Sequence, residues 1–125
     1  MTNTVELTKE NFDETVSGNE FVLIDFWASW CGPCRSFAPV YEKAAEDNPD
    51  LVFGKVDTEA QPELAAAFEI QSIPTLMIVR DQVAVYAQPG ALPAPALEDL
   101  IKQARALDMD EVRKSIAAQQ GQAPQ

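Results

Sequence analysis

Cys31 and Cys34 are the only cysteines among 125 residues, and they stand two residues apart in Trp30-Cys31-Gly32-Pro33-Cys34. Two thiols at that spacing can close a small disulfide ring reversibly, provided the backbone presents them in the right geometry. Pro33 fixes its own φ and suits the first turn of a helix, which places Cys31 near a helix N-terminus and Cys34 just inside it. The attacking species in such chemistry is the thiolate, and an unperturbed cysteine of pKa about 8.5 is only about 3% ionised at pH 7. An exposed helix end favours the anion by only ~0.3–1 kcal/mol, so direct hydrogen bonds must supply much of the rest. Pro33 has no amide hydrogen to give, which leaves the Cys34 amide or thiol as the donor. A site with fewer donors stabilises the thiolate less, leaves the disulfide form relatively favoured and makes the pair a better reductant.

Rival uses of the pair fare worse. A structural zinc site needs about four protein ligands, and the chain has neither a histidine nor a third cysteine, so no metal is expected. The missing histidine also removes Cys-His proteolysis and imidazole acid-base chemistry. A static disulfide is disfavoured by the short loop and by a reducing compartment.

Composition points to such a compartment. No run approaches the ~18 apolar residues that span a bilayer, and residues 1–10 lack the cationic start and apolar core of a secretion signal, so a cytoplasmic location is expected. Twenty acidic against nine basic residues give a net charge of −11, which repels nucleic acid and anionic membrane surfaces. At 46% apolar, the chain can build one well-formed core but not two ordinary domains.

The elements that must position the cysteines follow from periodicity. Residues 21–27 form a nearly continuous apolar run, the mark of a strand covered on both faces, and deliver the chain to Cys31. Over 34–47, Phe37, Val40, Tyr41 and Ala44 recur at helical spacing, with Pro39 inside the pattern, where a kink is expected. Strands are expected at 5–7, 51–56, 75–79 and 83–86. Helices are expected from Lys9, capped by Thr8, at 61–68 and from Pro95. Asp81-Gln82 joins the last two strands without the glycine best suited to φ > 0, leaving another turn type open. This order argues for an α/β fold, a central mixed β-sheet flanked by helices on both faces. Asp108-x-x-Glu111 starts a further short helix carrying Met109, Val112 and Ile116 on one face.

The segment Asp25-Phe26-Trp27-Ala28-Ser29-Trp30-Cys31-Gly32-Pro33-Cys34, with Ile73-Pro74-Thr75 forty residues on, closely resembles thioredoxin. The resemblance covers roughly residues 5–107. It implies the thioredoxin fold and a thioredoxin domain at 1–107, leaving a helical extension at 108–118 and a disordered tail at 119–125. It further implies that Cys31 is the nucleophile and Cys34 the resolving thiol, presented by Gly32 and Pro33. Pro74 is then expected in a cis peptide bond after Ile73, packed opposite the pair. By the same resemblance Asp25 is the buried carboxylate, Lys55 its basic neighbour and Gly90 the glycine beside the substrate groove. The residue types suit these roles: desolvation in an apolar strand raises the pKa of Asp25 toward neutrality, fitting it to accept the Cys34 proton, while Lys55 opposes that shift if it pairs closely. Trp27 is assigned to the core, and Trp30 to covering the thiol and contacting substrates.

The implied activity is a protein-disulfide reductase, recharged by an NADPH-dependent thioredoxin reductase. It acts on disulfide-containing client proteins as a monomer, with no bound cofactor beyond its own Cys31–Cys34 disulfide. Two other readings stand beside it: a dedicated redox partner or isomerase with fewer clients, and a binding module in which redox chemistry is secondary.

Overall fold

The computed structural model describes residues 3–121. In chain order its elements are β1 (Thr4–Glu6), α1 (Phe12–Ser17), β2 (Phe21–Trp27), α2 (Gly32–Asp47) and β3 (Val52–Asp57). They continue with α3 (Pro62–Ala67), β4 (Thr75–Arg80), β5 (Val83–Pro89), α4 (Ala94–Ala106) and α5 (Met109–Gly121). The apolar run of β2 leaves no face for water, and it lies mid-sheet in the order β1-β3-β2-β4-β5. β1 and β2 run parallel to β3, whereas β4 is antiparallel to both β2 and β5.

Strand alternation divides the core. Phe21 and Leu23 face Phe37 and Tyr41 of α2 and Leu97 and Ile101 of α4. Val22, Ile24 and Phe26 face the opposite way, toward Phe12 of α1 and half-buried Leu64 of α3. The mixed sheet with helices on both faces is therefore present as expected. Gly54 makes room for one of these layers, because a Cβ there would overlap the fully buried Leu7 side chain.

Three local expectations change. Asn11, not Thr8, precedes the first helix: its Oδ1 accepts from the Thr8 N–H at 2.7 Å, a turn that delays α1 to Phe12. Asp81 and Gln82 both adopt positive φ, 50° and 67°, so the hairpin keeps a left-handed turn without glycine. The Asp81 N–H donates to the Glu20 carbonyl at 2.9 Å and Arg113 pairs with the Asp81 carboxylate at 3.1 Å, which hold that turn in place. α5 runs to Gly121, so residues 119–121 continue the helix instead of starting a tail, and residues 122–125 lie outside the described ones. Asp108 caps α5 as expected, its Oδ1 accepting from the Asp110 and Glu111 N–H groups, and Met109 is buried on this chain.

Arg80 joins the end of α4 to the sheet. Its guanidinium lies 5.4 Å from the Phe21 ring centroid and donates to the carbonyls of Ala104, Arg105 and Leu107 at the end of α4. A cation at a helix C-terminus meets the carbonyls that have no partner within the helix. Among the described residues, no helix is long and apolar enough to cross a membrane.

Candidate active site

Cys31 is the N-cap residue of α2, in extended conformation with φ −85° and ψ 114°. Proline in the first turn starts the helix there, as its spacing predicts. The pair is joined as a disulfide with Cα atoms 5.2 Å apart, and the Cys34 N–H donates to Cys31 Sγ at 3.2 Å. That amide is the donor that Pro33 could not be. Both cysteines are buried, in a cluster with Ala28, Trp27 and Ile73, while Gly32 and Pro33 stay exposed.

The Ile73–Pro74 peptide bond is cis, and the Ile73 carbonyl oxygen lies 3.7 Å from Cys31 Sγ. Pro74 itself is buried. Gly90 holds φ +112°, a conformation that side chains rarely adopt, and its N–H donates to the Pro74 carbonyl at 2.8 Å. These contacts bring Cys31, Ile73, Pro74 and Gly90 together at one end of the sheet. Trp30, next to Cys31 in the chain, is 64% exposed, its Nε1–H donating to Glu59 Oε1 at 2.9 Å.

Asp25 is 1% exposed, and among the described residues neither carboxylate oxygen has a hydrogen-bond partner. Burial pushes its pKa up from 3.8 to about 7, a rise that the Lys55 charge tempers. Register sets Asp25 directly opposite Lys55 on β3 and Leu76 on β4. Yet the Lys55 ammonium does not form an ion pair with it; Nζ sits 4.7 Å from the centroid of the Trp27 ring. Trp27 is only half-buried and packs against the cysteines, a place that its assignment to the core did not specify.

A family model described as thioredoxin matches residues 3–103. The chain belongs to the thioredoxin family. It is 80% identical over 123 residues to a putative thioredoxin 2 of Streptomyces coelicolor, covering 98% of this chain and 92% of that one. Thioredoxin C-3 of Corynebacterium nephridii is 44% identical over 100 residues, which are 79% of this chain and 69% of that protein. A solved thioredoxin variant from Halobacterium salinarum superposes with a TM-score of 0.77 at 33% identity, covering 86% of this chain and 96% of that chain. The architecture is thus the thioredoxin fold, and the protein is a thiol-disulfide oxidoreductase that reduces disulfides of client proteins.

Two features of this thioredoxin-family site were not read from sequence. The Trp30–Glu59 contact depends on where the segment after β3 turns, and spacing carries no signal for it. The Lys55–Trp27 contact had one: Trp27 follows Asp25 by two and so shares its face of the strand.

Proposed function

We propose that Cys31 is the nucleophile, Cys34 the resolving thiol and Asp25 the proton acceptor of a general protein-disulfide reductase. The observation that carries this assignment is the Cys34 N–H directed at Cys31 Sγ from the first turn of α2, a donor that favours negative charge on that sulfur. In the reduced protein the Cys31 thiolate attacks one sulfur of a client disulfide. A Cys31–client bond forms, the client S–S bond breaks, and the other client sulfur leaves as thiolate. Asp25 takes the Cys34 proton; the Cys34 sulfur then attacks Cys31 Sγ, forming the internal disulfide and releasing the second client thiolate. Two electrons pass to the client, and the pair ends oxidised.

Lys55 sets how readily Asp25 holds its proton. Trp30, Ile73, Pro74 and Gly90 form the surface against which the client rests. The oxidised pair is recharged by an NADPH-dependent thioredoxin reductase, without a resident cofactor or metal. The reading is completed by a reducing cytoplasm and a monomeric protein, which net charge −11 supports by self-repulsion.

The test supplies NADPH, a bacterial thioredoxin reductase and insulin, and follows NADPH oxidation. Sustained oxidation that requires this protein, with insulin reduction, is expected. No oxidation with reductases from several sources, while chemically reduced protein still reduces insulin, would overturn the recharging route.

A further inference from the structure

Lys55 poses a question that its place in the sheet does not answer. It stands in register with a buried carboxylate that has no hydrogen-bond partner among the described residues, and a flexible four-carbon stem carries its ammonium. An unpaired buried carboxylate attracts such a cation strongly. Nevertheless, Nζ rests 4.7 Å from the Trp27 ring centroid and makes no ion pair with Asp25. A tryptophan face attracts an ammonium within about 6 Å, more so where water is partly excluded. Trp27, Lys55 and Asp25 share one sheet face, and Trp27 also packs against Cys31 and Cys34.

We propose that Trp27 is a positioning residue whose indole face holds the Lys55 ammonium off the Asp25 carboxylate, keeping that carboxylate unpaired and free to take a proton. The proposal rests on the reading of Asp25 as proton acceptor and says what sets its readiness. The other titratable groups facing Asp25 are few. From α2 comes Tyr41, whose hydroxyl donates to the Gly54 carbonyl at 2.7 Å and which senses both Asp25 and Glu42. β4 places Leu76 opposite Asp25, and β3 contributes Lys55 and, in register with Trp27 on the same face, Asp57.

Without the indole, the ammonium closes on Asp25 and stabilises its charged form. In Trp27→Leu, the Asp25 titration midpoint, followed in the oxidised protein by NMR of the carboxyl carbon, should fall by about one pH unit, the scale of the attraction lost. Trp27→Phe keeps a weaker ring and should move the midpoint less, in the same direction; it also serves if the leucine variant does not fold. In a Lys55→Met background neither substitution should move it. That background separates the proposal from simple wetting of Asp25, which would lower the midpoint whether or not Lys55 is present. An unchanged midpoint in both variants, or equal shifts with and without Lys55, overturns the proposal. Unimpaired turnover of Asp25→Asn would instead overturn the proton-acceptor assignment and leave the titration result standing.

Discussion

Replacing Asp25 with asparagine keeps the shape of the side chain and removes its charge. In the folded protein the Asp25 pKa lies at about 7 because burial disfavours the anion, whereas in the unfolded chain it returns to about 3.8. Below the lower value both states are protonated and the group has no effect on stability. Between the two, the folded state holds a proton that the unfolded state has released, so stability falls as pH rises. Above the folded value the deficit is complete. The span from 3.8 to about 7, at ~1.4 kcal/mol per pH unit, amounts to about 4 kcal/mol. Asparagine cannot titrate, and its buried amide inherits a site without hydrogen-bond partners, a cost of ~1–3 kcal/mol that is the same at every pH. The variant should therefore gain on the parent by about 4 kcal/mol between pH 4 and pH 8. Urea unfolding of both proteins at several pH values measures this, with the disulfide kept oxidised so that neither cysteine titrates. A difference that stays constant within about 1 kcal/mol across that range would refute the burial argument for Asp25.

Two further substitutions probe the frame around the site. Gly90→Val should cost ~1–3 kcal/mol, because φ +112° strains any side chain even though a Cβ there meets open space; denaturant unfolding reads the loss, and an unchanged midpoint would contradict it. Arg80→Met should cost about 2 kcal/mol by removing the charged donor to the carbonyls of Ala104, Arg105 and Leu107, while insulin reduction stays at the parent rate because Arg80 lies at the far end of β4 from Pro74. Equal loss of turnover and stability would show that the two ends of that strand are coupled.

What could be read from sequence was whatever local pattern decides. β2 could be read whole because an apolar run bounded by Gly18 and the cysteines leaves little choice of boundary. α2 was legible from Pro33 and the spacing of Phe37, Tyr41 and Ala44, and it continues through Pro39. The start of α1 was misplaced because a threonine suits a cap wherever it stands, and only the fold shows that the Asn11 side chain bonds back to the Thr8 N–H and puts a turn before the helix. The left-handed turn at Asp81-Gln82 was hidden for a related reason: its support comes from Glu20 and Arg113, far away in sequence.

The site divides along the same line. Cys31, Cys34 and the cis bond before Pro74 stood out through motif and resemblance. The state of Asp25 needed more, since it depends on register with Lys55 and on where a flexible ammonium comes to rest. Apolar neighbours predicted that burial would raise its pKa, and they could not reveal that Trp27 takes the lysine.

The central claim is that Cys31 attacks and Cys34 resolves. It is tested most directly by reacting reduced Cys34→Ser and Cys31→Ser variants with a disulfide-bonded client and locating the adduct by peptide mass spectrometry after acid quenching. The account predicts a persistent mixed disulfide on Cys31 in the first variant and little or none on Cys34 in the second. Equal trapping in both, or adducts confined to Cys34, would contradict it.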